Sequence, residues 1–313
     1  MLVLVTGAAG FIGSYLIPAL TGQGNRVYAT DLVAEPAWLE KMPQVTYFRG
    51  DLSREEDVYK MMGLAKPDKV VHLVSLLAGP CEADPRLGYR VNFNSTLALL
   101  DACVTYGVKR FVMTSSISVF GKGLAEPVPD DAPKQPATVY GQTKLACEHL
   151  MEWYRRVHGL GCAAVRFPWV FGPGRTTGIT AEYSSKLLDM IGRGEKLIID
   201  NPEEKGDWLY VKDAVKSLLL LLEIEDQPQI AYNIMGEVYT VREAMEIARK
   251  IFPEAEIELV DRHGTLSPYP AAYDDSRARA EIGWEPDYSL ATAMTEHVEF
   301  VRNNNRGCKQ CKQ

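Results

Sequence analysis

Thr6-Gly7-Ala8-Ala9-Gly10-Phe11-Ile12-Gly13 is the stretch on which the reading of this chain turns. It follows a β-branched run, Leu2–Thr6, that reads as a strand, and it opens an amphipathic segment, Phe11–Gln23, that reads as a helix. Glycine at 7, 10 and 13 lets the backbone turn tightly and approach a pyrophosphate, while the helix start offers free N–H groups and the positive end of its dipole. The spacing is Gly-x-x-Gly-x-x-Gly, and three glycines alone are a weak signal. Position strengthens it, because the next strand, Arg26–Asp31, ends in an acid. The Asp31 carboxylate can accept both hydroxyls of a ribose and would repel a 2′-phosphate; no arginine stands just after it, so NAD is favoured over NADP. Asp51-Leu52, after a third strand, suits contact with an adenine.

Outward from this motif, Val45–Phe48, Lys69–Leu73, Arg110–Thr114 and Cys162–Phe167 read as strands, with helices at Arg54–Met62, Leu87–Tyr106 and Tyr140–His158. Such alternation predicts an α/β fold, a Rossmann-type doubly wound parallel sheet. Apolar runs such as Arg110-Phe-Val-Met fit strands buried on both faces. From Pro168 the rhythm changes. Gly172, Pro173, Gly174 and Gly178 punctuate a loop before a helix at Tyr183–Ile191, followed by Leu209–Val211, Ala214–Leu222, Ala231–Ile234 and helices at Val241–Ile251 and Ser289–Asn303. The expected division is a dinucleotide-binding domain over 1–167 with return elements from 207–234. A smaller α/β substrate-binding lobe would come from 168–206 and 235–305, with a tail at 306–313.

The 313 residues are 46% apolar and 24% charged, which excludes disorder, collagen and a disulfide miniprotein. With 41 acidic against 34 basic residues, a nucleic-acid partner is not expected. No apolar run reaches the roughly 18–20 residues of a membrane span. The first residues lack a basic segment, so no secretory leader is expected. Cys103, Cys147 and Cys162 lie inside apolar segments, which suits a cytoplasmic protein with reduced thiols. Cys308-Lys-Gln-Cys311 is a single CxxC with no second pair and reads as a solvated, frayed terminus. The five histidines share no metal-ligand spacing, so no metal is expected; His72, on a strand between apolar neighbours, reads as a core histidine.

Tyr140-Gly-Gln-Thr-Lys144 opens a helix, and a spacing of four puts the phenol and the ammonium on one face. A phenol is a poor base near neutrality, and a close cation is expected to lower its pKa. The pair could then take the proton of an alcohol while hydride leaves the same carbon for a nicotinamide. Thr114-Ser115-Ser116-Ile117-Ser118-Val119-Phe120-Gly121 ends the fifth strand, where hydroxyls meet the ligand crevice of a parallel sheet.

With these motifs in order, the chain resembles the extended short-chain dehydrogenase/reductase superfamily, in its NAD-dependent epimerase/dehydratase group. Further matches are His72-Leu-Val-Ser75 (usually two alanines at its end), Val91-Asn92-Phe-Asn-Ser-Thr96, Arg166-Phe-Pro-Trp-Val-Phe-Gly-Pro173 and Asp207-Trp-Leu-Tyr-Val-Lys-Asp213. The resemblance implies Ser116 as catalytic hydroxyl, Tyr140 as base and Lys144 as its helper and ribose ligand. It implies Leu73, Val74 and Ser75 as walls of the cofactor site, Asn92 as the pin of the neighbouring helix, and Phe167 and Pro168 as backing for the nicotinamide. It also implies a homodimer built from the helices that start near Leu87 and Tyr140.

Dehydratases and decarboxylases of that group carry an acid between the serine or threonine and the Tyr/Phe-Gly; here Ile117 and Ser118 stand there, so elimination is not expected. Sugar-nucleotide epimerases usually carry a diphosphate-binding Asn where this chain has Trp169, and indole cannot replace it well. The loop Gly172–Tyr183 holds one arginine, Arg175, which suits a single anionic group such as a carboxylate. Leu77, Trp169, Arg175, Thr177 and Tyr183 are thus the expected substrate contacts, together with Ser116 and Tyr140. Two plainer readings stay open, Arg175 as a solvated loop cation and Trp169 as a packing residue. The expected function is a dehydrogenase of a small hydroxy acid or free sugar. A sugar-nucleotide 4-epimerase with transient NADH, or a non-enzymatic NAD sensor, are the alternatives.

Overall fold

Side chains that alternate in direction along strands buried on both faces build two cores at once. In the computed structural model, which describes residues 1–224, 228–260, 267, 269–305 and the helical backbone of 306–310, the chain opens with β1 (Leu2–Thr6), α1 (Phe11–Gly22), β2 (Arg26–Asp31), β3 (Val45–Arg49), α2 (Glu55–Ala65) and β4 (Lys69–His72). Two short helices, α3 (Ala78–Ala83) and α4 (Pro85–Gly88), precede α5 (Ser95–Thr105), β5 (Arg110–Ser116), α6 (Val139–His158) and β6 (Gly161–Phe167). Then come β7 (Trp169–Phe171), α7 (Ile179–Glu182), α8 (Ser185–Arg193), β8 (Leu197–Ile199), β9 (Lys205–Tyr210), α9 (Val211–Glu223) and β10 (Ala231–Asn233). The chain continues through β11 (Glu237–Thr240), α10 (Val241–Ile251), β12 (Ile257–Leu259), α11 (Ser276–Ile282) and α12 (Leu290–Gln310).

Seven strands form a wholly parallel sheet in the order β3-β2-β1-β4-β5-β6-β10. Val3, Val5, Val71 and Val112 point to one face, where Leu16, Ile17 and Leu20 of α1 and Leu218 and Leu221 of α9 cover them. Leu4, Val70, Phe111 and Met113 point to the other, under Val58, Met61, Leu99, Cys147 and Met151. The period-two alternation of strand side chains explains why both faces are apolar, as a doubly wound sheet requires. The strand order reverses between β1 and β4, and a ligand crevice opens at the carboxyl ends beside that switch. Past β6, β7, β9 and β11 make a separate three-stranded sheet, while β8 pairs with β12.

Three segments differ from their sequence expectation. Leu87–Tyr106 is interrupted by a π-helical turn, Tyr89–Asn94. There the Ser95 and Thr96 hydroxyls bond the Val91 and Asn92 carbonyls, competing with the regular ladder. The helix expected at Tyr183–Ile191 begins only at Ser185, as α8, and is set off from the short α7 at Ser184, whose hydroxyl donates to the Thr180 carbonyl at 2.6 Å. The last helix runs on to Gln310, through the backbone of Cys308, where a frayed tail is expected; Cys311 lies outside the described residues. The strands β7, β8, β11 and β12, of three or four residues, are too short to show a pattern.

A buried charge network fastens α6 to the sheet. Arg166 on β6 forks onto Glu148 of α6 at 3.0 and 2.8 Å, and its other nitrogen reaches Asp130 Oδ1 at 3.2 Å. Ser115 donates to Glu148 at 2.6 Å and the Asn233 N–H to Asp130 at 2.8 Å. All these groups are buried, so removing one partner strands a charge in a dry interior. Glu148→Ala is therefore expected to lower stability by about 3–5 kcal/mol, read by denaturant unfolding; a loss near zero would contradict this account of the network.

Candidate active site

The crevice at the switch point is shaped first by its glycines. Gly7 adopts φ +67°, and a Cβ there would lie 3.0 Å from the backbone of both Leu73 and Val74, so only glycine lets the turn pass beneath β4. At Gly13 a Cβ would meet the Ala8 carbonyl at 2.4 Å, which lets α1 press directly on the turn. Gly10 caps α1 without any side-chain hydrogen bond, leaving the first-turn N–H groups to an anion. Half-buried Asp31 takes the Ala9 N–H at 3.0 Å on one oxygen and the Leu32 N–H at 2.7 Å on the other, with lone pairs left over for hydroxyl donors. The Gly50 N–H donates to the Asp31 carbonyl at 3.0 Å, bringing Asp51 alongside. Leu52 is buried against Val58 and Met61, a core side chain as much as a crevice one. Phe11, Ile12, Leu73, Val74 and Pro168 are half-buried, and Phe167 is buried beside Ser116 in the register of β5 and β6. This cradle fits a dinucleotide: an uncapped helix start for the pyrophosphate and a carboxylate at the end of β2 for a ribose.

The reactive groups come together because the first turn of α6 is pressed onto the chain leaving β5. A Cβ on Gly141 would lie 2.1 Å from the Ser118 carbonyl. Thr138 caps the helix by accepting the Gly141 N–H at 3.0 Å, and Glu82 accepts the Val139 N–H at 2.6 Å. At the Tyr140 hydroxyl, the Ser116 and Ser75 hydroxyls and the Arg175 charge oppose the effect of burial. Ser116 donates to Ser118 Oγ and accepts its N–H, each at 3.1 Å. Lys144 lies 5.7 Å from the centre of the Tyr140 ring and donates to the Thr114 carbonyl at 2.8 Å.

Burial is the largest influence on the Tyr140 phenol, which stands at about 12, while the Ser116 hydrogen bond, the Arg175 charge and the Ser75 hydrogen bond pull the other way. Burial lowers the Lys144 pKa to about 8, and its ammonium donates to the Thr114 carbonyl. The cation opposing burial of the phenol is Arg175, itself lowered to about 10 by burial and sustained by Tyr140. Asn92 holds the Leu76 N–H at 2.7 Å and the Leu76 carbonyl at 3.0 Å, pinning the loop after β4 as well as Thr143 of α6 at 3.1 Å. His72 bonds Thr6 and Thr96 through its two nitrogens, and burial lowers it to about 3; it is a neutral core residue.

On the substrate side, Arg175 donates to Thr180 at 2.6 Å, and no carboxylate among the described residues pairs with it. Gly178, at φ +91°, leaves room for Leu77 and Arg175 together: a Cβ there would lie 3.1 Å from Leu77 and 3.5 Å from the guanidinium. Thr177 is exposed. Trp169 is half-buried and packed on two sides. Tyr183 stacks on it at 6.1 Å and 21°, and a Cβ on Gly206 would fall within 2.4–2.5 Å of its indole. The fit of Trp169 on Gly206, the nearness of Arg175 to the phenol, and the capping role of Glu82 escape a reading of the sequence. Ser75, expected as a cofactor wall, is half-buried and donates to the Leu76 carbonyl at 3.2 Å.

Asp31→Ala is expected to weaken NAD binding roughly ten- to hundredfold through the loss of charge-assisted hydrogen bonds, measured calorimetrically; unchanged affinity would remove Asp31 from the site. Comparison with known proteins agrees with this geometry. Residues 3–235 match the model of the NAD dependent epimerase/dehydratase family. The structure of UDP-glucose 4-epimerase from Thermotoga maritima, in complex with UDP-glucose, is 27% identical, with a TM-score of 0.85 over 97% of this chain and 99% of that one. L-threonine 3-dehydrogenase from Trypanosoma brucei is 27% identical, with a TM-score of 0.87 over 96% of each chain. A UDP-glucose 4-epimerase of Halalkalibacterium halodurans is 26% identical over 95% of this chain and 94% of its own. The chain is an extended short-chain dehydrogenase/reductase enzyme and belongs to the NAD dependent epimerase/dehydratase family.

Proposed function

We propose that this enzyme oxidises the secondary alcohol of a small hydroxy acid, of the aldonate, uronate or threonine type, with net formation of NADH. The observation that carries this reading is Arg175, a largely desolvated cation beside the Tyr140 hydroxyl that no described carboxylate neutralises. A single guanidinium with that environment suits one planar anion, which it can take in two parallel hydrogen bonds. NAD, when bound, supplies the hydride acceptor. Ser116 then holds the alcohol oxygen, Tyr140 takes its proton, and the carbinol hydrogen departs as hydride, leaving a ketone. Lys144 and Arg175 place positive charge around the oxygen that receives the proton.

Sugar-nucleotide 4-epimerisation with transient NADH is the competing reading, and epimerases stand among the relatives. Weighing against it, the position where such epimerases usually carry a diphosphate-binding Asn is Trp169, and its indole is packed between Tyr183 and Gly206. A panel of L-threonine, uronates, aldonates, free sugars and UDP-sugars with NAD separates the two. We expect NADH to accumulate with a carboxylated alcohol. We also expect Arg175→Ala to reduce kcat/KM for it by roughly ten- to hundredfold, more than for any neutral sugar. Interconversion of UDP-sugars without net NADH would overturn the reading.

A further inference from the structure

We infer that Tyr15, on the helix that leaves the cofactor cradle, is a positioning residue for the substrate cation: its hydroxyl fixes the turn over residues 172–175 in the form that aims Arg175. The inference rests on the reading that Arg175 takes the carboxylate of the substrate. The Tyr15 hydroxyl donates to the Pro173 carbonyl at 2.9 Å, across 158 positions of sequence. Phe11, one turn earlier on α1, meets the Tyr15 ring edge-on at 5.9 Å and packs under the same turn, where a Cβ on Gly172 would lie 3.4 Å from it. Fully buried Leu16 and Ile17 lock α1 to the sheet, so Tyr15 is the fixed point and the turn is fitted to it.

The hydrogen bond falls on the peptide that decides the turn. Gly172-Pro173-Gly174-Arg175 closes on itself, the Arg175 N–H donating to the Gly172 carbonyl at 3.3 Å, and Gly174 has φ +89°. Proline second and a glycine of positive φ third make this a type II turn; a type I turn would need φ of about −90° at Gly174. The two types differ in the peptide between Pro173 and Gly174, which rotates through roughly half a turn from one to the other. That rotation would carry the Pro173 carbonyl away from the Tyr15 hydroxyl, so the hydrogen bond selects type II. Burial pushes the Tyr15 phenol up, so it stays a donor through the neutral range. Ser185 accepts the Gly172 N–H at 3.2 Å and holds the turn from its other end. Past buried Pro173 the chain is exposed at Gly174, Thr176 and Thr177, while the Arg175 guanidinium returns beside Leu77 and donates to Thr180 at 2.6 Å. The direction of Arg175 therefore depends on the buried anchor two residues before it.

The test is steady-state kinetics with the carboxylated alcohol found for the parent enzyme, in a cycle of Tyr15→Phe, Arg175→Ala and the two together. Tyr15→Phe keeps the ring and removes only the hydroxyl. It should raise KM for that substrate by about three- to tenfold, the effect of one hydrogen bond, while kcat and the KM for NAD change by less than about twofold. In the Arg175→Ala background the same substitution should change KM by less than about twofold, because the guanidinium it aims is gone. Tyr15→Leu, which also lacks the hydroxyl, carries the test if the phenylalanine variant does not fold. An unchanged KM, or an equal rise with and without Arg175, overturns the role of Tyr15 and leaves the reading of Arg175 intact. If Arg175→Ala itself leaves kcat/KM unaltered, that reading falls and the role of Tyr15 falls with it.

Discussion

A phenol held away from water at the edge of a parallel sheet accepts a proton only if donors and positive charge are brought to its oxygen, and much of this architecture meets that constraint. Burial dominates at Tyr140, which stands at about 12 even with donors and charge opposing it. Opposing it are groups from separate parts of the chain: Ser116 at the end of β5, Ser75 after β4 and Arg175 in the loop beyond β7. Each is placed by a distinct local device. Gly141 lets α6 close onto Ser118, Asn92 holds the Ser75–Leu76 turn, and Gly178 leaves room for the guanidinium beside Leu77. The Arg166–Glu148–Asp130 network behind α6 keeps the helix from shifting as these contacts form.

The same desolvation acts on both cations of the site. Lys144 is buried and bonded to the Thr114 carbonyl, with its own pKa brought down to about 8, so its charge is weakly held near neutrality. A dry site strengthens whatever charge survives in it. Arg175 keeps its charge at any physiological pH, and with no described carboxylate to balance it, an anionic substrate group is the natural complement. Trp169, seated on Gly206 and covered by Tyr183, narrows the same region from the other side.

Much of this was legible before any coordinates, and the reason is physical. The sheet and its covering helices follow from apolar periodicity, and the dinucleotide cradle follows from Gly7, Gly13 and Asp31, whose roles depend on local backbone. Helix α10 keeps its expected bounds, Val241–Ile251, and the structure shows a Thr240–Glu243 capping box at its start. Features set by which partner a side chain takes were not legible. The π turn before α5 arises from hydroxyls competing for carbonyls, the break at Ser184 from a hydroxyl 2.6 Å from Thr180, and the packing of Trp169 from a glycine 37 positions away. At the site, residue types were readable but directions were not. The Arg175 charge that opposes burial of the Tyr140 phenol comes from a loop 35 positions along the chain.

The account stands on Tyr140 as the group that takes the alcohol proton in a hydride transfer to NAD. Its most direct test is single-turnover NADH formation by Tyr140→Phe with the substrate found for the parent enzyme. NAD binding should be retained and hydride transfer should fall by roughly 10²–10⁴-fold, the usual contribution of a positioned acid–base group. Hydride transfer at the parent rate, with NAD bound as tightly, would contradict it.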